Sequence, residues 1–160
     1  MMLGYWRQPE ATLHALRNLW FHTGDLGTLT DDGFLTYVDR TKDVIRRRGE
    51  NISSFEVERA VNAHPDVLEC AAYALPSEIT EDEVAVAVVA QPDGTVDLEA
   101  LVRWCVETMP RFAVPRYVRV VPELPKTPSQ RVEKYKLRAE GVTADTFDRD
   151  VAGIVVPRSD

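Results

Sequence analysis

Two apolar runs constrain the fold of this chain most. The first is "VLECAAYALP", residues 67–76, and the second is "EVAVAVVAQP", residues 83–92. Both are rich in valine and alanine, both are short and both end at a proline, which favours buried strands over helices. The fold is therefore expected to form around a small sheet that contains these two strands.

Helix signals lie on either side of the two runs. In "NISSFEVERAVNAHP", residues 51–65, Ser53 or Ser54 is the predicted cap and Glu56 follows Ser53 at the spacing of a capping box. In "DLEALVRWCVETMP", residues 97–110, Asp97 caps an amphipathic helix. "DVIRRRG" is predicted as a short strand or ribbon that ends at its glycine, "RYVRVVPELP" as another strand, and "VEKYKLRAE" as part of a short helix. This order predicts an α+β domain, a small β-sheet with packed helices.

The first forty residues do not form a self-contained pattern. "LWFHTGDLGTLTDDGFLTYVDR" predicts two short strands joined by a turn, but a lone hairpin is marginally stable in water. Its aromatic residues need a partner surface. We therefore expect residues 1–41 to pack on a partner surface, the α+β domain to lie in residues 42–140, and residues 141–160 to form a loosely ordered tail.

The charge pattern points to a small anionic ligand. The 160 residues carry a net charge of −7, which disfavours general nucleic-acid binding. Cations are concentrated in "RRR", residues 46–48, and in "LPKTPSQRVEKYKLR", residues 124–138. Such local clusters in an acidic chain suit a phosphate or a carboxylate, although solvated faces are the simpler alternative.

The cysteines and the hydropathy pattern indicate a cytoplasmic protein. Cys70 and Cys105 lie in apolar surroundings without the spacing of a metal site, as buried thiols of a reducing compartment do. There is no signal-peptide pattern and no apolar run long enough to cross a bilayer. We expect neither a metal site nor a membrane partner.

Several polar residues of the N-terminal half suit a ligand site. Asp25 follows a glycine, where its carboxylate can accept two hydroxyl groups such as those of a ribose, although turn residues often look the same. Between Asp39 and Asp43 four charged residues separate two strands, which is typical of a short exposed hinge. At Gly49 the backbone can approach a ligand closely.

Four motifs together resemble a known family. "GYWRQPEAT", "FHTGDLG", "VDRTKDVIRRRGENISSFEVE" and "LPKTPSQRVEKYKLR" occur in the order and at the distances found in the C-terminal part of the adenylate-forming superfamily. The resemblance covers residues 4 to about 138, and "RRRGENISSFEVE" is most similar to the carnitine/crotonobetaine–CoA ligase branch. It implies an enzyme that activates a carboxylic acid with Mg²⁺-ATP to an acyl-adenylate and then transfers the acyl group to coenzyme A.

The resemblance also implies a role for individual residues. Asp25 would contact the ribose hydroxyls and Arg40 the nucleotide, while Lys42 would be the hinge of a lid that rotates between the two half-reactions. Gly49 and Arg46 would line the tunnel for the pantetheine arm of CoA. The family loop P-x-T-x-x-G-K inserts a lysine beside the α-phosphate, where negative charge accumulates.

This chain departs from the family pattern at that lysine. It has Gln130 and Arg131 where the family has glycine and lysine. Arginine keeps the charge but is not an equivalent point charge. The catalytic cation is therefore predicted to be Arg131, with Lys134, one helical turn later, as the alternative.

The resemblance further implies a missing partner. In the family the phosphate loop, the adenine pocket and the acyl pocket lie in a large N-terminal domain. The resemblance implies that residues 1–41 are the last piece of that domain and the approach to the hinge, and that its remainder is absent from this sequence. The implied partners are that domain, a small carboxylic acid, ATP and CoA, none of which this chain is expected to hold tightly by itself. We expect a fragment that is inactive alone. The alternative is a non-catalytic interaction module that docks on another chain or self-associates through the exposed hairpin.

Overall fold

The chain divides into two compact units. The computed structural model describes residues 2–77 and 81–157, and the boundary between the units falls between Lys42 and Asp43. The division expected from the sequence, 1–41 and 42–140, has its boundary one residue earlier. The first unit contains the helix α1 (Pro9–Ala15) and the antiparallel strands β1 (Asp25–Leu29) and β2 (Leu35–Arg40).

The second unit contains three α-helices and six strands among the described residues. The strands are β3 (Ile45–Arg47), β4 (Glu50–Ile52), β5 (Val67–Pro76), β6 (Asp82–Ala90), β7 (Tyr117–Val120) and β8 (Phe147–Asp148), and the helices are α2 (Ser54–Asn62), α3 (Leu98–Thr108) and α4 (Lys134–Glu140). The main sheet has the order β5-β6-β7-β8. Strands β6 and β7 are parallel and α3 connects them, whereas the other neighbours are antiparallel. The predicted α+β class is confirmed.

The central strand β6 is apolar on both faces because the sheet is covered on both sides. Val84, Val86 and Val88 point into one core cluster, which also contains buried residues of α2 and α3. Ala85 and Ala87 point into a second cluster, closed by Leu137 of α4. Since successive side chains of a strand alternate between faces, a continuous Val/Ala run is what a strand between two cores requires.

Local capping fixes where two of the helices begin. The Oγ of Ser53 accepts the Glu56 N–H at 3.4 Å, so Ser53 rather than Ser54 is the cap of α2. The carboxylate of Asp97 accepts the N–H groups of Glu99 and Ala100 at 3.0 and 3.1 Å. Both contacts satisfy amide groups that have no partner within the helix.

Two segments differ from the sequence predictions. "DVIRRRG" contains the strand β3, as predicted, but the chain reverses at Arg48 and Gly49 and continues as the unpredicted strand β4. The residues predicted as a loosely ordered tail contribute to the fold: β8 pairs with β7, and Ile154 lies in the first core cluster at 6% exposure. The reason is that β7 would otherwise be an open edge. Residues 158–160 of the predicted tail lie outside the described residues.

Candidate functional site

Asp25 and Arg40 lie opposite each other on the hairpin of the first unit. They are cross-strand partners at the open end of β1 and β2, and the Arg40 Nε is 3.2 Å from the Asp25 Oδ1. The side chains are 38% and 51% exposed, respectively. The structure therefore brings together the two residues predicted to contact a nucleotide, and it leaves the carboxylate accessible to the hydroxyl groups of a ligand.

The predicted hinge residue lies at the unit boundary. Lys42 is exposed in a turn that follows β2, and it is the last residue of the first unit. Asp43, the next residue, belongs to the second unit. A turn between two compact units is where a change of backbone dihedral angles disturbs the least packing.

The turn between β3 and β4 carries the other predicted residues. Arg48 has a φ of +53° and Gly49 a φ of +82°, so this two-residue turn is of the I′ type. A side chain built at Gly49 would meet no atom within 4 Å. The Gly49 N–H donates to the Glu81 carboxylate at 3.3 Å, and the exposed Arg46 guanidinium lies 3.3 Å from the Asn51 Oδ1.

The three consecutive arginines have different roles because a strand alternates its faces. Arg46 and Arg48 are exposed, whereas Arg47 is buried with its Nε 2.7 Å from the Glu83 Oε2. The Nη1 of Arg47 donates to the carbonyl groups of Phe112 and Val114. Burial lowers the pKa of Arg47, and the adjacent Glu83 opposes that change. Arg47 is therefore a structural residue.

A basic cavity of about 650 Å³ opens beside this turn. Its polar lining contains Arg47, Arg48, Arg111 and Arg149, and its apolar wall includes Phe112. The guanidinium of Arg149 is buried and donates to the Val114 and Pro115 carbonyls and to the Asp150 carboxylate. Like the guanidinium of Arg47, it is held by partners within the protein. Among the described residues that line this cavity, Arg48 and Arg111 are the ones that offer cations to solvent.

Four of the five cations in residues 124–138 are paired with carboxylates. The pairs are Lys126 with Glu69 at 2.6 Å, Lys134 with Glu58 at 2.7 Å, Arg138 with Asp43 at 3.1 Å, and Lys136 with Glu133. The first three connect this segment to β5, to α2 and to the start of the second unit. Most of the charge in the stretch therefore holds the segment in place.

Arg131 is the fifth cation, and it lies on a tightly closed loop. A bridge between Lys126 and Val132 closes this loop, which we call the arginine loop (residues 126–132). Inside it, Thr127 donates its N–H to the Arg131 carbonyl and accepts the Arg131 N–H on its Oγ1. The Arg131 side chain is exposed, and within the described part of the chain its guanidinium makes no hydrogen bond or ion pair.

Lys134, the alternative to Arg131, is held in the body of the second unit. It is the first residue of α4, its side chain is 13% exposed, and its Nζ also donates to the Ser54 Oγ at 2.7 Å. Reaching an external ligand would break both contacts. The geometry therefore makes Arg131 the better candidate for a cation presented to a substrate.

Comparison with known proteins identifies the second unit. Residues 56–131 match the family described as "AMP-binding enzyme C-terminal domain". The second unit is an AMP-binding enzyme C-terminal domain. The match ends at Arg131, on the arginine loop.

The relatives of this domain include CoA ligases. The chain is 42% identical to 2-methylpropanoate–CoA ligase CCL4 of Humulus lupulus over 86% of its own length and 25% of that protein. It is 38% identical to a long-chain-fatty-acid–CoA ligase of Yersinia pestis, over 92% of this chain and 26% of that protein. The structure of ATP-bound MatB from Rhodopseudomonas palustris superposes with a TM-score of 0.76 at 31% identity, covering 86% of this chain and 28% of that one. The chain thus spans about a quarter of the length of the curated relatives it matches, as the C-terminal fragment of an AMP-forming CoA ligase does.

The sequence did not reveal which acidic residues of the AMP-binding enzyme C-terminal domain would hold the cationic segment. Glu58, Glu69 and Asp43 lie on other elements, and the Lys126–Glu69 and Arg138–Asp43 pairs span 57 and 95 residues. Of these three carboxylates, Asp43 alone was marked by the sequence as a candidate, because it lies beside the predicted hinge. Among residues 2–77 and 81–157 there is no cluster of three metal-ligating side chains and no helix long and apolar enough to span a membrane.

Proposed function

We propose that the chain is the C-terminal part of an ATP-dependent, AMP-forming carboxylate–CoA ligase. The complete enzyme joins a carboxylate to the α-phosphate of Mg²⁺-ATP with release of pyrophosphate, and then transfers the acyl group to the CoA thiol with release of AMP. The observation that carries the proposal is the arginine loop, which presents one exposed cation, Arg131, while the neighbouring cations are paired. Magnesium is expected to arrive with the ATP phosphates.

Arg131 would act in the first half-reaction. As the carboxylate oxygen attacks phosphorus, negative charge builds up on the transferred phosphoryl group and on the departing pyrophosphate. A guanidinium can donate two parallel N–H bonds to neighbouring oxygen atoms, and no proton needs to be transferred. A cation fixed in advance by its loop stabilises that charge without reorganisation.

The remaining predicted residues have places in the same scheme. The accessible carboxylate of Asp25 would accept the ribose hydroxyls, while its partner Arg40 would orient it and contact the nucleotide. Lys42, at the unit boundary, would be the pivot between the two half-reactions. In the second, the exposed Arg46 would attract the anionic CoA, and the absence of a side chain at Gly49 would leave room for its pantetheine arm.

The test is Arg131→Ala in a protein that spans the full length of the relatives. We expect the rate of adenylate formation, measured as ATP–pyrophosphate exchange, to fall at least 100-fold, because removal of one transition-state donor costs about 10²–10³ in rate. Thioester formation from a supplied acyl-adenylate should fall far less. Lys136→Ala is the matched control, since that cation is also exposed but pairs with Glu133 in its own turn. Equal losses in the two half-reactions of Arg131→Ala would contradict the assignment.

The acyl group and the branch are finer proposals. The pattern "RRRGENISSFEVE" supports the carnitine/crotonobetaine–CoA ligase branch and hence a small, carnitine-like acid. The two relatives named above act on a short branched and a long-chain acid, so the branch needs its own test. Full-length protein should give a higher kcat/KM with crotonobetaine than with butyrate or palmitate, and a preference for palmitate would refute the branch.

A second candidate function is an interaction module, and the apolar surface of the first unit favours it. Among the described residues of this unit, large exposed side chains include Trp6, Trp20, Leu29, Phe34 and Leu35. Single exposed apolar residues are normal, but several on one small unit mark an interaction surface. Sedimentation of the chain between micromolar and near-millimolar concentration distinguishes the cases: self-association favours the module, and a monomer favours a surface made for the N-terminal domain.

A further inference from the structure

Helix α4 is held at both ends by ion pairs that reach distant parts of the second unit. At its start, Lys134 contacts Glu58, whose Oε1 also accepts the Ala72 N–H at 3.0 Å. At its end, the Arg138 Nη2 lies 3.1 Å from the Asp43 Oδ1. Helix α4 therefore connects α2 to the first residue of the unit.

The arginine loop is continuous with this helix. The Glu133 N–H, immediately before α4, donates to the Pro125 carbonyl at 2.8 Å and so closes the base of the loop. Lys126 holds the other side of the loop to Glu69 of β5 at 2.6 Å. With both sides of its base held, Arg131 is expected to move with α4 and the main sheet as a single body.

The Arg138–Asp43 pair lies at the place where that body begins. Asp43 directly follows Lys42, and two residues later Ile45 is fully buried in the core. Between these points Val44 is half-buried, and the Asp43 side chain is 24% exposed. The carboxylate of Asp43 thus anchors the chain to α4 immediately after the predicted pivot.

We propose that Asp43 and Arg138 are a positioning pair that confines the pivot to Lys42. A hinge works through the few residues that absorb a change of φ and ψ, and residues anchored on one side cannot take part. Without the pair, the change of dihedral angles spreads over residues 42–44. The relevance of this pair to catalysis rests on the proposed function. Additional freedom of the backbone dihedral angles at the pivot would displace Arg131, because the arginine loop and α4 move as one body. Catalytic groups must be placed within about 0.5 Å of their working geometry.

Hydrogen exchange on the 160-residue chain tests the pair without any activity. In Asp43→Asn and in Arg138→Met, the amides of residues 42–45 should exchange at least tenfold faster than in the unchanged chain, while those of β5 and β6 keep their protection. Arg138→Lys, which retains a cation, should preserve most of the protection at residues 42–45. Lys136→Met is the matched control on the same helix and should change nothing at those residues.

Two results would overturn the proposal. One is unchanged exchange at residues 42–45 in both single variants. The other is an equal acceleration in β5 and β6, which would show that the pair only stabilises the fold as a whole. Because this measurement does not involve ATP, its outcome is independent of whether Arg131 acts in adenylation.

A kinetic readout on full-length protein then tests the consequence. Arg138→Met should lower kcat for adenylate formation about tenfold and leave KM for ATP within twofold, since the Asp25–Arg40 pair is untouched; misplacement of a catalytic group by about 1 Å costs up to 10² in rate. Arg138→Lys should restore most of the rate. A matching rise in KM, or no rescue by lysine, would contradict a positioning role.

Discussion

Glu58 is the residue whose removal should disturb the cationic segment most. Its carboxylate binds Lys134 and also accepts the Ala72 N–H, and its side chain is 20% exposed. Glu58→Gln would leave a partly buried ammonium group without its counter-ion, and we expect the free energy of unfolding to fall by about 2 kcal/mol. Urea denaturation at neutral pH measures this.

Glu56→Gln is the control for that experiment. Glu56 lies on the same helix, is exposed, and contributes its backbone N–H rather than its side chain to the Ser53 cap. Its change should stay within about 0.5 kcal/mol, as surface substitutions usually do. Similar losses in the two variants would show that Glu58 acts through the helix and not through Lys134.

Asp148 makes the stability of the sheet edge dependent on pH. Burial alone would raise the pKa of this carboxyl group, but hydrogen bonds from the Arg116 guanidinium outweigh burial and hold the pKa below its ordinary value. A lowered folded-state pKa stabilises the protein above the unfolded-state pKa of about 3.9, and that stabilisation is lost as the pH falls through the folded-state value.

Asp148→Asn should therefore be less stable than the unchanged chain at pH 7 by about 1.5 kcal/mol, and the difference should shrink below about pH 4. Urea denaturation at pH 7, 5, 4 and 3 measures this difference in the free energy of unfolding. Asp93→Asn is the control, because Asp93 is exposed in a turn at a φ of +59°, which asparagine tolerates. A constant difference for Asp148→Asn at all four pH values would contradict the assignment.

At the scale of single residues, the sequence shows where cations are concentrated but not which carboxylates hold them. Composition showed that cations are concentrated in residues 124–138, and spacing aligned Arg131 with the family lysine. Whether Arg131 or Lys134 stays free depends on Glu58, which is on a helix far away in the sequence. No local pattern encodes such a pair, because it is formed by the packing of α2, α4 and β5.

At the scale of elements, the turn between β3 and β4 makes a sharp prediction. Gly49 has a left-handed backbone conformation, but a Cβ at this position would have open space. Gly49→Ala should therefore cost only backbone strain, about 1 kcal/mol in the free energy of unfolding. Gly49→Asn should cost less, because asparagine visits this conformation more readily. A loss of several kcal/mol for alanine, measured in urea, would reveal a contact that the turn does not show.

Elements were predictable where their signals are local. The caps Ser53 and Asp97 act on amides two or three residues away, so a short window of sequence contains the whole interaction. The β3–β4 hairpin was missed because its type I′ turn uses Arg48-Gly49 rather than the usual Asn-Gly pair. Strand β8 has two residues, too few to show any periodicity, and it exists because β7 offers an edge.

At the scale of the whole molecule, the unit boundary predicts independent folding of the second unit. Its main sheet, both core clusters and the ion pairs of α4 lie within residues 43–157. A fragment of residues 43–160 should therefore unfold cooperatively, with a urea midpoint within about 0.5 M of the corresponding transition in the full chain. Loss of the cooperative transition would show that the second unit depends on the first.

The two buried thiols have a practical consequence for studying the pivot. Cys70 and Cys105 are 7% and 1% exposed, and burial raises the pKa of both, that of Cys105 to about 12. Because the thiolate is the reactive form, the folded chain should resist maleimide reagents at neutral pH. Cysteines introduced at Ser129 and Thr28 would then be the reactive ones, and a pair of fluorophores attached there would test the proposed pivot at Lys42 in a chain that keeps its own cysteines.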